Sequence, residues 1–434
     1  MLNLPRGTRD FTPEEMEKRR HVQKTMTSTF KSFGYEEIQT PTFENLELFT
    51  AKSGVTIINE LYSFKDKGNR ELALRPELTA PAIRFYVEKL QMEPKPLKLF
   101  YFGNCFRYDR PQKGRYREFW QFGCELIGTS TSEALAELIA LAYHSLKKTG
   151  LLNIKLHIGH LSLLDQKVDE TLGLKKPPLS EFHPGGQVWK NEMFRLIDKE
   201  DLGGVINKFK AAGATEERIT MFTDVLNYSS LDELKKIGFK QELEQELERF
   251  EKIIMLLSEF GVVKDNSIKM GIARGLDYYK GIVFEIDAPV LGSEKQLCGG
   301  GEYNLVKLFG GKDTPTAGFA IGFDRTLLAL EIEKYEFPVT KIQVYIIPVK
   351  EETIKESIKI AQNLRKVGIL TDIDLLRRGI GKSLKYANAK SAKYAIILGP
   401  DELEKDSVTL RNMKTGDQEL LKIKDIISRL KKIL

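Results

Sequence analysis

The stretch Leu99-Phe-Tyr-Phe-Gly-Asn-Cys-Phe-Arg107, the polar run Asp109-Arg-Pro-Gln-Lys-Gly-Arg-Tyr-Arg117 after it, and then Phe119-Trp-Gln-Phe-Gly-Cys-Glu125 together decide the fold. They read as one long antiparallel hairpin. Side chains alternate across a strand, so in the second arm Gln121, Gly123 and Glu125 share one face while Trp120, Phe122 and Cys124 share the other. In the first arm Arg107 lies with Gly103 and Cys105. A guanidinium, an amide and a carboxylate can converge there, over glycine gaps where a flat ligand could rest. The same pattern also describes an amphipathic hairpin with one solvated face.

Working outward, Thr12-Pro-Glu-Glu15 offers an N-cap hydroxyl, a first-turn proline and a reciprocal glutamate, which predicts a helix from Thr12 to about Gly34. A strand-like pattern follows from Tyr35 and breaks at Pro41. Strand signals recur at 97–108, 118–127, 281–287 and 315–321, with a helix over 132–147. No regular strand-helix alternation marks a doubly wound sheet, so the expected class is α+β with a largely antiparallel sheet. Between Asp165 and Leu257 the character changes to charged helical periodicity, as in Gln241-Glu-Leu-Glu-Gln-Glu-Leu-Glu-Arg-Phe-Glu-Lys252; that run alone is a solvated helix face. After Pro338 the order is strand (342–349), helix (353–367), strand (370–374), helix (380–391), strand (394–398), an α/β domain. The predicted organisation is a core from 1–164 and 258–336, a helical insertion at 165–257 and a C-terminal domain at 340–434.

Composition sets limits on this reading. A chain of 434 residues suggests two or three domains, and 41% hydrophobic with 29% charged residues supports folded cores. No apolar stretch approaches the roughly 18 residues of a membrane helix, and the start lacks an apolar secretory core, so the cytoplasm is expected and no membrane partner. Three cysteines and five scattered histidines offer neither a disulfide framework nor a metal site. The net charge of +6 divides unevenly: residues 340–434 hold 20 Lys+Arg against 12 Asp+Glu, net +8, which leaves 47 against 49, net −2, for the rest. A basic segment favours a polyanionic partner, although a solvated basic face has the same composition.

Two short motifs are decoys. His157-Ile-Gly-His160 spells the signature of class I aminoacyl-tRNA synthetases, but no Rossmann core or Lys-Met-Ser-Lys-Ser loop accompanies it, and Lys390-Ser-Ala-Lys393 is a poor stand-in. Gly381-Lys-Ser383 resembles the end of a phosphate loop, yet Leu376 sits where the earlier glycine belongs, so it reads as a helix start.

Four other segments could complete a site. Leu74-Arg-Pro-Glu-Leu-Thr79 places an acid and a hydroxyl after a rigid turn, or simply starts a helix. Arg274-Gly-Leu-Asp-Tyr-Tyr-Lys-Gly281 puts arginine, acid and two tyrosines between glycines. Cys298-Gly-Gly-Gly-Glu-Tyr303 reads as a bulge or tight turn, or as backbone hugging a ligand. In Ala317-Gly-Phe-Ala-Ile-Gly-Phe-Asp-Arg325, Arg325 stands at a helix start, where the dipole disfavours an uncompensated cation and an anionic ligand would favour it.

Together and in this order, these segments resemble the class II aminoacyl-tRNA synthetases and, within them, the histidyl-tRNA synthetase family. The first class II motif corresponds to the helix and strand ending at Pro41, the second to Phe106–Glu125 and the third to Gly318–Arg325; the histidine-specific elements correspond to Arg274–Tyr279 and Cys298–Gly301. The likeness spans nearly the whole chain, including a helical insertion and a C-terminal anticodon-binding domain. It implies a class II synthetase-like antiparallel sheet with flanking helices, and the substrates L-histidine, ATP and tRNA-His. Magnesium would arrive with ATP, no structural metal is expected, and the first motif implies a homodimer.

Residue by residue, the resemblance implies that Arg107 holds the ATP α-phosphate, Arg325 the terminal phosphates, and Arg274 the α-phosphate where many class II relatives use a metal. Asp109 and Arg115 belong to the implied ATP site. Glu125 and Tyr279, with Tyr278 beside it, match positions that read the imidazole. Glu77 and Thr79 match those that hold the α-amino group, and Gln121 lies beside the carboxylate. Arg110, Lys113, Arg115 and Arg117 match the loop that faces the acceptor end of tRNA. Three departures stand out: Asp109 and Asp324 replace family glutamates, and Glu302-Tyr303-Asn304 replaces the common Arg-Tyr-Asp. The rivals are a histidine-binding regulatory paralogue of ATP phosphoribosyltransferase, which generally lacks the C-terminal domain and the Arg274 segment, and a class II synthetase for another amino acid.

Overall fold

The computed structural model describes residues 2–53, 55–108, 115–174, 178, 180–262, 266–272, 279–338 and 342–434. These form two separate units, 1–337 and 338–434.

The first unit is built on an eight-stranded sheet. In chain order its strands are β1 (Glu36–Glu37), β2 (Leu97–Phe106), β3 (Glu118–Ile127), β4 (Lys155–His160), β5 (Asn266–Ile268), β6 (Tyr279–Asp287), β7 (Gln296–Tyr303) and β8 (Thr316–Gly322). Their spatial order is β1-β2-β3-β8-β7-β6-β4-β5. All inner pairings are antiparallel, and the two edge strands β1 and β5 pair in parallel. The hairpin is β2-β3, with Leu97 opposite Ile127 and Phe106 opposite Glu118. The strand-like pattern after Tyr35 shortens to the two residues of β1.

Helix α1 (Pro13–Ser32) starts on a full capping box between Thr12 and Glu15, and the chain leaves it through Gly34 at φ +79°. Its buried positions Val22, Met26 and Phe30 recur every fourth residue and so form one stripe. Phe30 meets Phe100 of β2, Phe122 of β3 and Phe319 of β8 at ring distances of 5.3, 4.9 and 5.7 Å, which presses the helix onto the middle of the sheet. Helix α2 (Ser132–Lys148), capped by Thr131, covers the same face with buried Leu135, Leu138, Ile139 and Leu146.

Every described element between residues 161 and 259 is a helix. Helix α3 (Leu161–Leu172) follows β4 directly, four shorter helices occupy 187–236, and helix α4 (Gln241–Glu259) returns toward the sheet. Its polar stripe carries a specific function: Arg249 forms a two-pronged ion pair with Glu302 of β7 (2.6 and 3.1 Å) and also bonds Glu246 and the carbonyl of Ser130. Burial works against the Arg249 charge, but Glu302 and then Glu246 hold the group ionised and raise its pKa. Glu302, which departs from the family arginine, is therefore one of the sheet's ties to the helical segment.

His160 ends β4 and caps α3. Its Nδ1 accepts from Leu163 N–H at 3.4 Å, which leaves Nε2 to donate to Glu246 at 3.2 Å. That hydrogen bond, ahead of the Arg249 charge, lowers the Glu246 carboxyl to about 2. The His157–His160 motif is thus a strand end and helix cap, with His157 bonded to Ser267.

The second unit is a five-stranded sheet of β9 (Val344–Pro348), β10 (Thr371–Ile373), β11 (Tyr394–Leu398), β12 (Ser407–Asn412) and β13 (Gln418–Lys422), in the order β10-β9-β11-β12-β13. Its first three strands are parallel, and the last two, not foreseen from sequence, are antiparallel. Alternation sorts its core: Val344 and Ile346 pack under helices 354–366 and 426–433, while Tyr345 and Ile347 face helix 380–389. Gly381–Ser383 lies in that last helix, and Ser383 hydroxyl donates to Asp374 at 2.6 Å.

Candidate active site

The hairpin brings its polar face to a cleft of about 370 Å³, within the size range of small-molecule sites. Its floor is β3, β7 and β8 (Gln121, Leu297–Gly299, Ala320, Gly322), and its charged walls are Arg107, Arg115 and Arg325. Arg107 donates Nε to the carbonyl of Pro76 at 3.1 Å and stacks its guanidinium 5.3 Å from the Phe119 ring centroid. Arg325 stands in the first turn of α5 (Phe323–Ile332), whose N-cap Gly322 supplies no side-chain cap. It donates to the carbonyl of Gln296 at 3.0 Å and to Glu294 at 2.7 Å; burial lowers its pKa, opposed by the Glu294 charge. Arg115 donates Nε to the same Glu294 oxygen at 3.0 Å. The cation at the helix start is thus compensated by a carboxylate 31 positions away, for which the sequence carries no local signal.

Asp324, the shortened family glutamate, is buried. It accepts from Arg9 and Arg19 at 2.7 Å each and from Trp120 N–H at 2.7 Å, with Arg19 packed on the rings of Phe11, Trp120 and Phe323. One carboxylate therefore ties the chain start, α1, β3 and α5 together beside the cleft.

Glu125 is fully buried. It accepts from Tyr101 hydroxyl at 2.7 Å and, through its other oxygen, from Tyr303 hydroxyl. Burial pushes this carboxyl up to about 7, with the two tyrosine hydrogen bonds acting in the opposite sense. Tyr101 lies 3.3 Å from Thr79 hydroxyl, and Tyr279 meets the Tyr303 ring edge-on at 6.3 Å between centroids. Thr79, Tyr101, Glu125 and Tyr303 therefore form one polar chain through the sheet, with the Tyr279 ring packed against its far end. Glu77 stands at its outer end, where its carboxylate accepts from Thr79 and Ala80 N–H at 2.6 and 3.1 Å and so starts the helix 79–85. Gln121 accepts from Cys105 thiol at 3.4 Å, a thiol that burial pushes up to about 12 and so keeps protonated.

The glycine gaps in the hairpin hold side chains, which corrects their reading as bare floor for a ligand. A Cβ on Gly103 would meet the Arg75 guanidinium at 2.6 Å, and one on Gly123 would meet Tyr101 at 2.7 Å. Arg75 is buried against the carbonyls of Thr40, Pro41 and Asn104, so it fixes the turn that presents Glu77. The Cys298 segment is strand β7 with register shifts between Gln296 and Cys298 and between Gly301 and Glu302, so of the expected bulge or tight turn it is the bulge that forms.

Arg107, Gln121, Arg115 and Arg325 converge in the cleft; Glu125, Thr79 and Glu77 belong to the polar chain, against whose end the Tyr279 ring packs. Arg117 packs on Tyr108 and donates its backbone N–H to Gly7. Asp109, Arg110, Lys113, Arg274 and Tyr278 lie outside the described residues.

The family model for histidyl-tRNA synthetase matches residues 7–326, and an anticodon-binding domain model matches 343–433. Among curated proteins the chain is 45% identical to the histidine-tRNA ligase of Methanosarcina acetivorans, over 99% of this chain and 98% of that one. It is 42% identical to the histidine-tRNA ligase of Archaeoglobus fulgidus, over 98% and 99%. Among solved structures, apo histidyl-tRNA synthetase of S. aureus covers 99% of this chain and all of its own at 29% identity and a TM-score of 0.72. A family model spanning most of the chain, full-length relatives above 40% identity and the arrangement of cleft and buried carboxylate agree: the chain belongs to the histidyl-tRNA synthetase family.

Proposed function

We propose that the protein is a histidine-tRNA ligase, which condenses L-histidine with ATP to histidyl-adenylate and pyrophosphate and then transfers histidine to the 3′ end of tRNA-His. The observation that carries this reading is a buried carboxylate between two tyrosines beside a cleft walled by three arginines. Imidazole presents N–H and lone pair at fixed angles, and Glu125 with Tyr279 offers a polar pair suited to it. The histidine carboxylate is the nucleophile toward the α-phosphorus. As the bond to pyrophosphate breaks, charge grows on the leaving oxygens, where Arg325 and Arg115 stand, while Arg107 steadies the α-phosphate. Arg274 joins it there by family position. Glu77 and Thr79 would receive the α-amino group, and Gln121 lies on the path to the carboxylate. Magnesium enters as part of the ATP substrate. A terminal ribose hydroxyl of tRNA then attacks the adenylate carbonyl and AMP leaves.

Pyrophosphate exchange into ATP, run for each amino acid, tests this directly. Exchange should depend on histidine alone; exchange with proline or threonine would transfer the reading to another class II synthetase, and none with any amino acid would remove it.

The chain's own division supports separate work for its parts. Residues 1–164 and 258–336 would form the catalytic core, 165–257 an insertion contacting tRNA, and the basic segment 340–434 the anticodon-arm grip. The match of 343–433 to anticodon-binding domains supports charging over a purely regulatory role. In that unit Asp374 accepts from Leu376 N–H, Arg378 N–H and the Arg378 guanidinium, which holds Leu375 and Leu376 80% and 70% exposed beside Arg377. Exposed apolar side chains next to cations offer unpaired bases an apolar contact and their phosphates a charge. Removing residues 338–434 should leave histidine-dependent exchange within about twofold and lower tRNA charging by roughly 10²-fold, the scale of lost phosphate contacts; equal losses would make the unit structural. A homodimer through α1 and β1, and a cytoplasmic setting, complete the proposal; among the described residues no helix is long and apolar enough to cross a membrane.

A further inference from the structure

The three cations of the cleft are held differently. Arg107 rests on a carbonyl and an aromatic face, whereas Arg115 and Arg325 both aim a nitrogen at one oxygen of Glu294, at 3.0 and 2.7 Å. Glu294 ends the short helical turn Pro289–Glu294, two residues before Gln296, whose carbonyl takes the other terminal nitrogen of Arg325. The acceptor is therefore carried on the same turn that leads into the cleft floor. Its side chain is about three-quarters covered, enough to weaken screening by solvent.

A phosphate oxygen binds a guanidinium through the same N–H groups and at the same separations as a carboxylate. Terminal phosphates that engage Arg115 and Arg325 must therefore share or displace the hydrogen bonds that Glu294 holds, and they bring like charge to its oxygen. The same applies in reverse to pyrophosphate, which leaves more readily when a carboxylate stands ready to take over its two partners. We propose that Glu294 is a built-in competitor of the polyphosphate: it holds Arg115 and Arg325 in place and sets how tightly ATP and pyrophosphate are bound. Glu294 acts through the two arginines and is thus a positioning residue. The inference rests on the reading of those arginines as phosphate ligands.

The test is steady-state exchange on the full-length protein, with KM measured for ATP and for pyrophosphate in the parent, Glu294→Gln, Glu294→Ala, Glu294→Asp and Arg325→Ala. Glu294→Gln keeps the shape and removes the charge, so both KM values should fall by about three- to tenfold, the range of a half-covered charge pair. Glu294→Asp should stay within about twofold, and 0.5 M KCl should narrow the gap between parent and Gln variant. Glu294→Ala, which removes the charge without adding an amide, should shift both constants the same way. Unchanged or raised KM values in both charge-removing variants overturn the proposal, because a mere scaffold for the arginines would weaken ATP binding when lost. Arg325→Ala should raise the KM for ATP by tenfold or more; if it does not, the phosphate reading itself fails, whatever Glu294→Gln does.

Discussion

Glu125→Gln is expected to lower kcat/KM for histidine in pyrophosphate exchange by roughly 10²- to 10³-fold, while the protein melts at the same temperature or higher. The loss follows from recognition: an ionised acceptor in a dry site is worth more than an amide, and a site built for one polar pattern is left unpaired by another. The stability gain follows from linkage. Burial raises the folded-state pKa of Glu125 to about 7, from the 4.5 of a free glutamate. The folded protein therefore holds this proton more tightly than the unfolded chain. Its ionisation costs stability progressively as pH rises from about 4.5 through 7, by at most about 3 kcal/mol. A neutral Gln removes that cost. The variant's advantage in melting temperature should thus be largest at pH 8 and vanish below pH 4.5. In the parent, the KM for histidine should rise as pH falls below 7. A variant that activates histidine as well as the parent sinks the assignment; one that melts much lower at pH 8 sinks the energetic half of it.

Gly318→Ala is the second large effect. Gly318 pairs directly with Glu125 across β8 and β3, and a Cβ there would lie 2.0 Å from the Glu125 carboxylate and 2.5 Å from the Cys124 carbonyl. The carbonyl belongs to the sheet ladder and cannot yield, so the strands must part or the carboxylate must leave its tyrosines. Overpacking of this kind costs about 3 kcal/mol or more. We expect thermal unfolding several degrees lower and histidine-dependent exchange close to background. Gly381→Ala is the control, because a Cβ there meets nothing within 4 Å and the site is helical. An unshifted melting curve for Gly318→Ala would show that this strand pair has room that its geometry denies.

Much of this was readable before the fold. The hairpin announces itself because two ten-residue strands alternate, and alternation alone separates Phe122 and Cys124 from Gln121 and Glu125. The cap at Thr12 is local chemistry and so falls where the four residues place it. The partners of the site residues are another matter. Glu125 is closed by Tyr101 and Tyr303, 24 and 178 positions away, and Arg115 reaches Glu294 across 179. No window of sequence holds both ends. The glycines of the strands do advertise close approach, but not by what: Gly103 and Gly123 make room for Arg75 and Tyr101, side chains of the protein itself. Strands β12 and β13 escape notice for a different reason. The outer strand β13 has no fully buried residue, so its alternation is faint, and the turn at Gly416 joins it to a strand interrupted by polar residues.

Glu302 and Tyr303 are neighbours on β7, and a pleated strand sends neighbours to opposite faces. One holds Arg249 of the helical segment; the other closes on Glu125. The Glu302–Arg249 pair thus ties helix α4 to the sheet a single peptide unit from the hydroxyl that closes on Glu125. A partner that shifts α4 would pull on Glu302, and the expected consequence one residue along is a displaced Tyr303 hydroxyl at Glu125, the carboxylate proposed to read the imidazole.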